Sequence, residues 1–194
     1  HYTIGIRDDV THLSLDYGEE INTVPDGTVS CKFWGLGSDG TVGANKNTIK
    51  IIGDHTGLNV QAYFEYDGKK SGGVTRSHLR FGKEPIRSTY LVQNADFVAC
   101  HNESYLGKYD ILEDVKEGGS VLIACGWKEE ELETHLTSAF KKKAADKHIH
   151  LYTIDSTGIA QELGLGSRTN TILQAAFFKI TGIIPMEKAE EYMK

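Results

Sequence analysis

Residues 29–47, V-S-C-K-F-W-G-L-G-S-D-G-T-V-G-A-N-K-N, restrict the possible folds more than any other stretch. An apolar, β-prone run from Val29 to Trp34 meets Gly35, Gly37, Gly40 and Gly43. A segment with helical apolar spacing follows through Val42, Ile49, Ile51 and Ile52. A strand, a glycine turn and a helix start, in that order, let backbone N–H groups and the helix dipole hold an anion. The turn satisfies G-x-G-x-x-G from Gly35 to Gly40. A dinucleotide site also expects an acid about 20 residues on, and Glu65 and Asp67 fall late for that. The G-K-[ST] of a P-loop is missing as well. Spacing leaves two readings open: a phosphate-holding turn, or a tight connection whose glycines serve geometry alone.

The polar residues around the turn carry the same ambiguity. Ser38, Asp39, Thr41, Asn45, Lys46 and Asn47 offer hydrogen bonds and one positive charge, or simply a solvated helix face. Lys69-Lys70-Ser71-Gly72-Gly73 reads as a loop able to close on phosphates, or as a hairpin tip. Arg76, His78 and Arg80 alternate on one side of a strand, as an anion contact or a polar surface. His101-Asn102-Glu103 follows a buried run, at the edge where open α/β sheets bind ligands. Gly164 to Asn170 forms a second glycine turn, in which Ser167, Arg168, Thr169 and Asn170 cap a helix or reach a neighbouring domain. His55, His135, His148 and His150 lack ligand-like spacing, and no Ser/His/Asp or Cys/His set emerges.

A net charge of −6 disfavours general nucleic-acid or anionic-membrane binding, so any phosphate site has to be local. No apolar run approaches the roughly 18 residues of a membrane span. Cys31, Cys100 and Cys125 are widely spaced, each within an apolar run and without a C-x-x-C. They read as buried hydrophobes in a reducing cytoplasm, not as cluster or zinc ligands. The chain begins at His1, which reads as a processed product or a piece of a longer polypeptide.

Along the chain, residues 1–27 read as a connector or arm, with possible short strands at 2–6 and 11–15 and a Pro25-Asp26-Gly27 turn. Residues 28–194 read as a layered α/β domain with a mixed sheet flanked by helices. Strands are expected at 29–34, 60–66, 74–81, 86–92, 97–100, 120–125 and 149–154. Helices are expected at 42–53, 105–115, 129–147, from Asp155, Ser156 or Thr157 to Leu163, at 169–180 and at 186–193.

The glycine-turn stretch, Asp67 to Thr75, Ser77 to Gly82 and Arg168 to Phe178 (R-T-N-T-I-L-Q-A-A-F-F) together resemble the gamma (third) domain of pyruvate:ferredoxin oxidoreductase, within the 2-oxoacid:ferredoxin oxidoreductase family. The resemblance runs from about Thr28 to the C-terminus. Many relatives carry G-x-G-G-Q-G-V at the first turn, and here Ser38-Asp39 replaces Gly-Gln. The resemblance implies oxidative decarboxylation of pyruvate with coenzyme A to acetyl-coenzyme A, carbon dioxide and reduced ferredoxin. It places thiamine diphosphate and [4Fe-4S] clusters on other domains, with ferredoxin or flavodoxin as acceptor and a homodimeric full enzyme. This domain is then expected to help bind coenzyme A through Gly37, Ser38, Asp39, Gly40, Thr41, Val42, Asn45, Lys46, Asn47, Lys69, Lys70 and Ser71. It carries no catalytic residue, and in isolation it is expected to be inactive. The alternative is a purely structural interdomain module.

Overall fold

The computed structural model describes residues 1–16, 18, 21–69 and 72–194. Six strands form one sheet in the order β2-β3-β1-β4-β5-β6. These are β1 (Val29–Leu36), β2 (Asn59–Tyr66), β3 (Val74–Gly82), β4 (Ala95–Cys100), β5 (Val115–Ala124) and β6 (His150–Ile154). β1 pairs parallel with β4, β4 with β5 and β5 with β6, whereas β3 runs antiparallel to β1 and β2. The mixed sheet expected from the sequence is therefore present. The hairpin of β2 and β3 supplies the antiparallel side.

Alternation along the strands divides the core into two layers. Cys31, Phe33, Phe97, Ala99 and Leu122 pack on one face against α1 (Thr41–His55), α5 (Asn170–Thr181) and α6 (Met186–Tyr192). Phe177 is the centre of that layer, with its ring 5.5 Å from Phe33 and 5.3 Å from Phe97. Trp34, Val98, Cys100, Val121 and Ile123 pack on the other face, against Tyr105 to Leu112 and the helices α2 (Glu129–His135) and α3 (Ser138–Asp146). The short α4 (Ser156–Glu162) follows β6. No helix among the described residues is long and apolar enough to cross a membrane.

Several expected elements take other forms. Residues 105–115 keep their buried apolar spacing but form a 3-10 turn, Glu103–Tyr105, followed by successive turns. Gly107 and a run of short-range bonds, such as Lys108 N–H to Tyr105 C=O and Glu113 N–H to Asp110 C=O, replace a regular helix. β5 starts at Val115 rather than 120, and Gly118-Gly119 lies inside it at a register shift. The 129–147 helix is two helices, because Leu136 is extended and the Thr137 hydroxyl accepts the Phe140 N–H as a fresh N-cap. Residues 86–92 are not a strand: their backbone groups are bonded to side chains of β3, as described below. In the arm, an isolated bridge between Thr3 and Ser14 stands where two strands were expected. Cys31, Cys100 and Cys125 are buried and unpaired with one another.

Candidate functional site

β1 ends in the glycine turn, and the turn sits against the β2–β3 loop. The Gly37 N–H donates to the Gly73 carbonyl at 2.7 Å. A Cβ on Gly37 would lie 3.2 Å from that oxygen, so the close approach favours glycine. Asp39 braces the turn from inside. Its carboxylate accepts the Leu36 N–H at 2.8 Å, the Thr41 N–H at 2.7 Å and the Thr41 hydroxyl at 2.8 Å. Gly40 then enters α1 with φ of 87°, a left-handed conformation suited to glycine. The second glycine turn holds the first in place, since the Asn170 side-chain amide donates to the Asp39 carbonyl at 3.0 Å.

With Gly37, Asp39 and Thr41 donating within the turn, the N–H groups of Ser38, Gly40 and Val42 have no acceptor among the described residues. They belong to residues lining a cavity of about 350 Å³, together with Tyr66, Asp67, Lys69 and Thr75. The buried Thr75 hydroxyl also has no partner among the described residues. The cavity thus combines unpaired donors at a helix start with one lysine, a donor set that suits an anion. The carboxylates of Asp39 and Asp67 oppose an anion there. Asp39 is offset by its three internal donors and serves as the brace, not as a ligand group. Ser38 holds φ of 75°, a conformation that costs a non-glycine residue energy.

A second cavity of about 460 Å³ opens where the carboxyl ends of β4, β5 and β6 meet, lined by His101, Cys125 and Asp155 among others. After β1 the chain turns to one face of the sheet, and after β4 it turns to the other. The cavity lies beside that divergence, at the carboxyl edge where α/β sheets bind ligands. Thr41 and His101 meet across it, Oγ1 to Nδ1 at 2.9 Å. Burial lowers the His101 pKa to about 4, opposed by the nearby Asp39 charge, so the ring is neutral at neutral pH. The Cys100 thiol is pushed up to about 12 and Cys125 is raised, both mainly by burial. Neither thiol is an activated nucleophile.

Of the residues expected to bind a ligand, Gly37, Ser38, Asp39, Gly40, Val42 and Lys69 line one cavity. Thr41 is buried, and its hydroxyl is committed to Asp39 and His101. Asn45 points into the protein beside Thr41 and Thr48 on the buried side of α1, and its Nδ2 lacks a partner among the described residues. Asn47 is exposed, and Lys46 lies over the Phe64 ring at 5.4 Å; neither lines the cavity. Lys70 and Ser71 lie outside the described residues. Tyr66, Gly73 and Thr75 join the site, because Leu36 pairs with Val74 and Tyr66 pairs with Thr75.

Arg76, His78 and Arg80 serve the fold. Arg80 donates to the carbonyls of Thr89, Tyr90 and Leu91 at 2.6, 3.3 and 2.8 Å. The Val92 N–H donates to His78 Nδ1 at 3.0 Å, so the ring proton sits on Nε2, which faces the Glu65 carboxylate at 2.7 Å. Arg76 pairs with the same carboxylate at 3.2 Å. These bonds take up the backbone groups of residues 89–92 that a strand would have used.

The pyruvate ferredoxin/flavodoxin oxidoreductase family model matches residues 30–194. The chain belongs to that family. It is 58% identical over 193 residues to the pyruvate:ferredoxin oxidoreductase of Moorella thermoacetica. It is 55% identical over 194 residues to the pyruvate-flavodoxin oxidoreductase of Enterobacter agglomerans. Both alignments cover 100% of this chain but only 16% of the relative, so the chain spans about one sixth of the length of these curated family members. The fold is shared with a pyruvate oxidoreductase subunit of Thermotoga maritima, at TM-score 0.67 and 23% identity, covering 86% of this chain and 83% of that one. It is shared also with 2-oxoglutarate:ferredoxin oxidoreductase of Magnetococcus marinus, whose structure has 2-oxoglutarate, coenzyme A and succinyl-CoA bound. That match has TM-score 0.64 and 15% identity, and covers 87% of this chain and 27% of that one.

Proposed function

We propose that this chain acts as the gamma domain of a pyruvate:ferredoxin oxidoreductase and holds the phosphates of coenzyme A in the glycine-turn cavity. The observation that carries this reading is the set of N–H groups at Ser38, Gly40 and Val42 that have no acceptor among the described residues, beside Lys69. The whole enzyme converts pyruvate, coenzyme A and oxidised ferredoxin or flavodoxin to acetyl-coenzyme A, carbon dioxide and the reduced carrier. Thiamine diphosphate and [4Fe-4S] clusters supply the carbanion and electron chemistry from other domains. The enzyme works in the cytoplasm as a homodimer, and residues 1–27 connect this domain to the one before it. The chain itself binds and orients; it contributes no catalytic residue.

Calorimetric titration of coenzyme A into the full-length protein tests this. Binding is expected, with Lys69→Ala weakening it about three- to tenfold through loss of one charge-assisted contact. Absence of binding at millimolar ligand sinks the proposal. Unchanged affinity in Lys69→Ala removes the lysine from it.

The second reading, an interdomain structural module, is favoured by the arm. Ile4, Ile6, Val10 and Ile21 are exposed, while Thr3, Asp8 and Ser14 bond among themselves. Under that reading, Lys69→Ala leaves the Michaelis constant for coenzyme A unchanged, and arm substitutions loosen domain association.

A further inference from the structure

The second cavity is the strongest feature not used above, and the chain's own hydrogen bonds determine what it offers a ligand. The Thr41 hydroxyl has a single proton, which goes to Asp39 Oδ2 at 2.8 Å because an ionised carboxylate can only accept. Thr41 Oγ1 is therefore the acceptor in its 2.9 Å contact with His101, and Nδ1 of His101 carries the ring hydrogen. In the neutral ring that leaves Nε2 as a lone-pair acceptor, and the bond to Thr41 is the only side-chain hydrogen bond of His101 among the described residues. Asp39 thus sets the tautomer of His101 through Thr41, from the other cavity's wall.

The lining around His101 is polar, and its only charged groups among the described residues are negative. Glu103 and Asp155 are carboxylates, Ser156, Thr157 and Thr169 carry hydroxyls that accept as well as donate, Asn102 brings an amide, and no lysine or arginine is among the described lining residues. A phosphate would meet two negative charges and no cation there. An uncharged group rich in N–H or O–H donors meets acceptors instead. Asp39 lines the first cavity, His101 lines the second, and Thr41 joins them by two short bonds. The two sites therefore abut, with opposite preferences.

We propose that this second cavity binds the uncharged, amide-bearing pantetheine arm of the ligand whose phosphates occupy the glycine turn, with His101 Nε2 accepting an amide N–H. The proposal rests on the coenzyme A reading for its ligand. His101 is a binding residue here; Asp39 and Thr41 position it. No covalent step is involved.

The two halves of the ligand separate this inference from that reading. Pantetheine and adenosine 3′,5′-bisphosphate are titrated separately into the full-length protein, followed by calorimetry and by the imidazole resonances of His101. The informative variant is His101→Asn, whose side-chain amide retains a donor for Thr41 but lacks an acceptor at the Nε2 position. Pantetheine is expected to bind, shifting the His101 signals. His101→Asn should weaken pantetheine and coenzyme A about tenfold while leaving adenosine 3′,5′-bisphosphate unchanged. An unchanged thermal midpoint shows that the variant keeps its fold. Failure of pantetheine to bind wild type at high millimolar concentration overturns the inference, as does equal affinity for wild type and His101→Asn. If the bisphosphate fails to bind while pantetheine binds and responds to His101→Asn, the phosphate site falls and the pantetheine site stands.

Discussion

The Asn170 side-chain amide donates to the Asp39 carbonyl at 3.0 Å, across 131 positions of sequence. That bond ties the entrance of α5 to the glycine turn before α1, and so joins the two glycine-rich turns of the chain. It also fills the space above Gly40, where a Cβ would fall 2.2 Å from Asn170 Nδ2.

Gly40→Ala therefore has two costs: left-handed backbone strain of about 1–2 kcal/mol and displacement of the Asn170 amide, worth about 1 kcal/mol. Asn170→Ala alone should cost about 1 kcal/mol. The double variant should be less destabilised than the sum, because Gly40→Ala already breaks the bond that Asn170→Ala removes. Urea denaturation of the three variants measures this coupling. Strict additivity would show that the two residues do not interact.

Ser38 at φ of 75° stands where glycine would be at ease. Ser38→Gly relieves the left-handed strain but adds chain entropy to the unfolded state, and the two effects are each about 1 kcal/mol. Stability is expected to stay level or rise by up to about 1 kcal/mol. A loss larger than that would show that the Ser38 side chain contributes to the fold.

Arg80 holds residues 89–91 by three carbonyls and Gln61 by its amide oxygen at 2.9 Å. Lysine cannot reproduce a planar fork with several fixed donors. Arg80→Lys should cost about 1–3 kcal/mol and speed amide exchange across residues 86–92. Unchanged protection there would mean that Pro85 and the surrounding packing alone hold the segment.

Acidification should destabilise the domain through its histidines. His101 falls from its ordinary 6.5 to about 4 in the folded chain. Below pH 6.5 the unfolded chain takes up a proton that the folded ring refuses until about 4, so stability present above 6.5 is lost across that window. Burial lowers His78 as well, and it acts in the same direction. For the part-buried His101 the loss is about 1–3 kcal/mol. Denaturation midpoints compared at pH about 7.5 and about 5 should converge partly in His101→Asn. A wild type whose stability is flat or rises on acidification contradicts this.

The sequence by itself determined the elements whose signals are local. β1, the glycine turn and α1 follow from an apolar, β-prone run, a left-handed position that needs Gly40, and helical spacing with no proline. The two-layer core follows from period-two alternation in β1 and β4, which sends Phe33 and Phe97 one way and Trp34 and Val98 the other. The family itself was legible in the 29–47 and 168–178 motifs. Periodicity misled where side chains take over backbone hydrogen bonds. The Ile86–Val92 run has strand composition, but its carbonyls go to Arg80 and its last amide to His78, both distant in sequence. Residues 105–115 bury the expected side chains with turn geometry, because burial constrains where a side chain points more than how the backbone gets it there.

Only the tertiary structure decided which polar residues line the glycine-turn cavity. Thr41, Asn45 and Asn47 all follow the glycine turn within α1. The packing of α1 buries the first two, which lie about one turn apart on the same face, and exposes the third, about half a turn further round. The registers of β1 on β3 and of β3 on β2 bring Gly73, Thr75 and Tyr66 to the turn. The divergence of the chain after β1 and β4 brings His101 to Thr41. A site built from the ends of strands depends on sheet order, and sheet order is a sum of long-range pairings that no local pattern encodes.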